Sequence, residues 1–208
     1  PESLCWGIAE YPVKEPADLE TLLRLLDHLR LEPDVERHRA RQAEWGERGL
    51  CGLGPPRSPL PALITEWAGV VNTCYLVMDC PDLVAAVGER LNALNDPVYI
   101  AYAAYAPVCV EFTDNISGEN IGSLWDEWMA PTYRRRLAQL HEAGIVVAIH
   151  NDGTLRGALD RIAATGFDAA EALTPAPVGD VPASGLRRLA GRDDFILWGM
   201  LPGAMFAP

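Results

Sequence analysis

Side chains able to hold a metal ion or move a proton stand where apolar runs give way to polar loops. Residues 144–149 are apolar, and His150-Asn151-Asp152-Gly153 follows at once, before a helical pattern over 154–165. Residues 108–113 run in the same way into Asp114-Asn115, and the strand-like stretch 167–173 carries Glu171 near its end. An imidazole among carboxylates can ligate a divalent metal or serve in acid–base chemistry. Asp114, His150 and Asp152 are the catalytic candidates, and His150, Asp152 and Glu171 the candidate metal ligands. Asn115 and Asn151 supply amides that can orient a substrate. Asp152 has an ordinary role open to it as well, as N-cap of a helix beginning at Thr154.

These residues can act together only if the elements carrying them are arranged to bring them to one place. From Pro107 onward the chain alternates strand and helix. Strands are expected over 108–113, 144–149, 167–173 and 195–198, and helices over 123–142, 154–165 and 182–190, with Gly144, Gly166 and Gly191 as stops. Such alternation predicts parallel βαβ units with right-handed crossovers. Consecutive parallel strands end on one face, so Asp114, His150, Asp152 and Glu171 are expected to converge. The expected fold class is α/β, a (β/α)8 barrel of the TIM type. About 250 residues are usual for that fold, and the chain has 208, starting at Pro1 and stopping at Pro208. It therefore reads as one domain over 1–208, an incomplete barrel truncated at both ends.

The first half reads as mostly helical. A short strand is expected over 3–8, and Glu15-Pro16-Ala17-Asp18 then opens a helix with a stripe of Leu19, Leu22, Leu23, Leu26 and Leu29. Residues 34–45 form a charged helix, where His38 among Arg37, Arg39 and Arg41 reads as solvated. A short strand at 50–53 leads into Gly54-Pro55-Pro56-Arg57-Ser58-Pro59, a loop whose Arg57 could meet a substrate carboxylate or lie at the surface. Helices follow over 61–68, 70–78 and 81–94; Asp96-Pro97 breaks the pattern, and 98–106 resumes it with Tyr99, Tyr102 and Tyr105 as a packing stripe.

Composition narrows the partners. A net charge of −12 repels phosphate backbones and anionic lipid, so neither nucleic acid nor a membrane surface is expected, and a small-molecule substrate is. No apolar run reaches the ~20 residues of a membrane span, which fits a cytoplasmic protein. Cys5, Cys51, Cys74, Cys80 and Cys109 are an odd set without short paired spacing, as expected of reduced, buried structural thiols.

Several segments in order resemble the uroporphyrinogen decarboxylase superfamily, which includes corrinoid-linked methyltransferases as well as the decarboxylase. They are Asp114-Asn115-Ile116-Ser117-Gly118, Ala130-Pro131-Thr132-Tyr133, His150-Asn151-Asp152-Gly153 and Trp198-Gly199-Met200-Leu201-Pro202-Gly203. Earlier, the stretch from Tyr11 to Leu19, Ser58-Pro59-Leu60 and Trp67-Ala68-Gly69 are similar too. The resemblance implies a (β/α)8 barrel with its site at the C-terminal rim. In methyltransferase members zinc is held by a His, a Cys two residues on and a distant later Cys, and the metal turns a thiol into a thiolate. His150 matches the first ligand, and Asp152 stands where the Cys would be.

The resemblance implies metal-assisted methyl transfer, with zinc as the cofactor and a corrinoid, carried on a partner protein, or a thiol as the other reactant. A second reading is cofactor-free porphyrinogen decarboxylation by Asp114 and neighbouring amides; that enzyme's arginine-rich N-terminal segment is not in this chain. A third is a non-catalytic binding module on the same fold. No Gly-rich nucleophile turn or phosphate-cradling turn supports a Ser hydrolase or a nucleotide site.

Overall fold

A computed structural model describes residues 8–199 and 201. Cys5, the expected strand over 3–8 apart from its last residue, and Met200, Pro202 and Gly203 of the closing segment lie outside the described residues. The chain forms two compact units, one of residues 8–30 with 59–94 and the other of 31–58 with 95–199 and 201.

In the first unit, helix α1 (Pro16–Leu26) starts where the sequence predicts. Glu15 and Asp18 form a reciprocal capping box, Pro16 occupies the first turn, and Leu19, Leu22 and Leu26 are buried. Val13 N–H donates to the Trp67 carbonyl and Asn72 Nδ2 to the Val13 carbonyl, fixing the segment before α1. Helix α3 (Pro59–Ala62) passes into a wide π turn over Leu63–Trp67, and α4 (Val70–Asp79) follows.

Helix α5 (Pro81–Tyr105) runs without interruption through Pro97, where the sequence predicts a break. A proline removes one backbone donor and crowds the preceding turn. Here the burial of Val98, Tyr99 and Tyr102 beyond it outweighs that cost.

The second unit contains α2 (Val35–Trp45), capped by Asp34, whose carboxylate accepts from the Arg37 N–H at 3.0 Å. Its sheet has four strands, β1 (Cys109–Ile116), β2 (Val146–Asn151), β3 (Ala169–Leu173) and β4 (Ile196–Gly199), all parallel and in sequence order. The architecture is therefore α/β, and among the described residues the sheet does not close on itself. The expected strand at 50–53 contributes one backbone bond, Glu111 N–H to the Leu53 carbonyl at 3.0 Å.

The crossovers after β1 contain α6 (Gly118–Ile121), a π turn over Trp125–Met129, and α7 (Ala130–Glu142), with Pro131 in the first turn of α7. Later come α8 (Leu159–Thr165) and α9 (Leu186–Ala190). Neighbouring crossover helices touch in turn, α7 with α8 and α8 with α9. Val110, Phe112, Val147, Ile149 and Ala170 are fully buried on that side of the sheet. Phe112, Tyr133 and Phe167 meet there edge to face, with ring centroids 5.2–5.8 Å apart.

Helix α8 begins five residues later than the pattern at Thr154 predicts. Asp180, from the loop after β3, accepts from the Leu155 N–H at 2.8 Å and the Arg156 N–H at 3.2 Å. That side chain satisfies the free amides after β2, the task the sequence assigns to Asp152. No single helix among the described residues is long and apolar enough to cross a membrane.

Candidate metal centre

Register builds the site before any side chain is considered. Glu111 pairs with Ala148 and Ala148 with Ala169, while His150 pairs with Glu171 one step further along. Paired residues of parallel strands face the same way, and a strand alternates faces every residue. Glu111, His150 and Glu171 therefore share the face opposite the crossover helices. Their ligand atoms all lie within 4.8 Å of one another, and all three residues are half-buried. This trio could hold a metal ion.

His150 Nδ1 lies 2.6 Å from Glu171 Oε2. In the ion-free site Nδ1–H can donate to that carboxylate, and an ion held by both groups would take the place of this hydrogen bond. Burial raises the Glu111 carboxyl above its ordinary pKa. The Glu171 carboxylate beside it adds to the rise, and His150 opposes it. The repulsion between the two acids is relieved by a proton on Glu111 or by a cation held between them.

The ladder is irregular on both sides of the His150 row. Between the pairs Phe112–Ile149 and Ile116–Asn151, three residues of β1 face the single residue His150. Between Ala170–Leu197 and Leu173–Gly199, Glu171 and Ala172 face the single residue Trp198. Bulges re-aim side chains and gather beside active sites. Each contains a non-glycine residue with positive φ, Asn115 at 53° and Ala172 at 61°. Asn tolerates this conformation, whereas for Ala it stores strain of order 1–2 kcal/mol.

The structure brings His150 and Glu171 together, and places Glu111 beside them where the sequence suggests Asp152. Asp152 is exposed. Asp114 is buried to 1% exposure and belongs to the core; its carboxylate accepts from the Ser58 backbone N–H at 2.9 Å and the Tyr133 hydroxyl at 2.8 Å. Burial raises the pKa of Asp114 against the opposing pull of those donors. Asn115 is exposed, and its carbonyl accepts from Asn120 Nδ2. Asn151 is fully buried, with Nδ2 donating to the Ile116 carbonyl at 2.6 Å and Oδ1 without a partner among the described residues. Arg57 is half-buried and donates to the Thr113 carbonyl on β1.

Glu111 was open to discovery in the sequence, as the lone charge inside the apolar strand 108–113. A charge is seldom placed mid-strand without a partner. His38, expected to be solvated, is 9% exposed. Its Nε2 donates to the Cys51 carbonyl and its Nδ1 meets the Tyr105 hydroxyl, both at 2.9 Å, so its polar atoms are satisfied in place. Cys51, Cys74, Cys80 and Cys109 are free thiols, half-buried rather than fully buried. Compared with protein-family models and with curated proteins, the chain matches none.

Proposed function

We propose that this chain carries the metal centre of a methyltransferase-like enzyme, with Glu111, His150 and Glu171 as ligands. The observation that carries the reading is the convergence of three ligand atoms from three successive parallel strands on one face. Three protein ligands with a fourth position left for substrate is the pattern of catalytic zinc. Two carboxylates make the set harder than the thiolate-rich set implied by the resemblance, and widen the choice toward manganese and iron as well as zinc.

Sequential strand order with the crossover helices in contact along one side supports a (β/α)8 barrel rather than a doubly wound sheet, where the order reverses. On this reading the protein is cytoplasmic and belongs to the uroporphyrinogen decarboxylase superfamily. Its methyl donor or acceptor is a corrinoid on a partner protein or a small thiol.

The residues divide the work simply. Glu111 and Glu171 would each supply a carboxylate oxygen, from β1 and β3, and His150 an imidazole nitrogen from β2, the ion replacing the contact between His150 Nδ1 and Glu171. A divalent ion held there would lower the pKa of a bound thiol and so supply the thiolate that methyl transfer requires. Asp114, sealed in the core, positions Tyr133 and Ser58 and does not meet substrate.

Metal analysis of the purified protein tests the reading. The wild type should retain about one divalent ion per chain after dialysis, and Glu111→Gln, His150→Ala and Glu171→Gln should each lower retention at least tenfold, with Asp152→Asn unchanged. A wild type that retains no zinc, manganese or iron, or triad variants that retain as much as it does, would overturn the proposal.

A further inference from the structure

The face that carries the three ligands continues onto β4. Ala148, Ala169 and Ile196 stand in one row, and the bulge places Trp198 beside Glu171 and Ala172. Leu197 pairs with the fully buried Ala170 on the helix side, so alternation puts Ile196 and Trp198 on the Glu171 side. The helix side is sealed, yet Ile196 is 50% exposed and Trp198 48%. Scattered apolar residues on a surface are ordinary. A half-open indole one strand away from a metal ligand is different, because strands lie about 4.8 Å apart and an aromatic ring on a metal-bound group spans that distance.

We infer that Trp198 is a specificity-determining residue of the Glu111–His150–Glu171 centre, selecting substrates that join a metal-binding group to an aromatic body. The inference rests on the metal-centre reading above and adds the chemical class of what binds there. The ligand's donor atoms take the open position at the ion, and its ring lies against the indole, with Ile196 extending the apolar wall. Offset stacking on Trp adds to the gain from removing both surfaces from water.

Two hydroxamates that share one chelating head separate the terms. Calorimetric titration of the zinc-loaded protein should show benzohydroxamate binding about tenfold tighter than acetohydroxamate. Trp198→Ala should bring the two within about twofold while leaving acetohydroxamate affinity and zinc content unchanged, and Trp198→Phe should keep most of the preference. Equal binding of the two probes by zinc-loaded wild type, or an undiminished preference in Trp198→Ala that still holds zinc, overturns the role of Trp198 and leaves the metal centre standing. A wild type that takes up no ion overturns the centre, and this inference with it.

Discussion

His150 and Glu171 are partners across adjacent parallel strands, with Nδ1 and Oε2 2.6 Å apart, and Glu111 reaches the same point from the strand beyond. Neither acid is the neighbour that the local sequence offers His150, which is Asp152. Strand β2 ends at Asn151, so Asp152 has left the sheet, whereas Glu111 and Glu171 stay on the His150 face of the neighbouring strands.

The apo and metal-bound forms should therefore respond oppositely to one substitution. Glu111→Gln removes an acid that burial and Glu171 disfavour, so without metal it should raise stability by up to about 1 kcal/mol. Zinc at a hundred times its Kd should stabilise wild type by about 2.7 kcal/mol. Glu111→Gln, binding at least tenfold more weakly, should gain no more than about 1.4 kcal/mol at the same zinc concentration. Thermal melts with and without zinc check both halves.

Asp114 sets a pH dependence of its own. Its folded pKa lies above the ordinary value of 3.8, so the native state holds this proton more tightly than the unfolded chain does. The contribution from that proton is fully present below the unfolded pKa and is lost as pH rises through the folded one. Asp114→Asn keeps an acceptor for Ser58 N–H and loses the titration. The variant should gain on wild type from about pH 4 upward and then level off, in urea unfolding followed across pH. A constant difference would mean that Asp114 does not titrate as its burial implies.

Ala172→Gly should relieve the left-handed backbone beside Glu171 and stabilise the fold by about 1 kcal/mol or less, the gain being reduced by the unfolded-state freedom of glycine. Metal affinity should fall at the same time, because the strained residue holds the bulge that aims Glu171. Urea unfolding and zinc titration on the same preparation separate the two effects.

His38→Ala should cost about 1–3 kcal/mol, by stranding the Cys51 carbonyl and the Tyr105 hydroxyl in a half-buried setting. Zinc retention should not change. A loss of zinc in a folded His38→Ala protein would give this histidine a role that its satisfied geometry denies.

The strands and crossover helices of the second half were legible because their apolar runs and glycine stops are local signals. What escaped was set by distant residues. The late start of α8 depends on Asp180, 25 residues on, and the burial of His38 on Tyr105, 67 residues away. Continuity of α5 through Pro97 depends on packing that no local window contains. The positions of His150 and Glu171 near strand ends are local signals. Glu111 lies mid-strand, and its significance appears only when β1 and β2 are in register.

The parallel order of β1, β2 and β3 has a kinetic consequence. Each pairing waits on a complete crossover, and even His150 and Glu171 are 21 positions apart. Loop closure must be met before such non-local contacts form. Glu111, His150 and Glu171 are thus strangers to one another in the unfolded chain and in any early, locally organised state. An ion should find its cradle only after the sheet has formed, acting as a latch on the finished structure: it should slow unfolding while leaving the rate of folding nearly untouched.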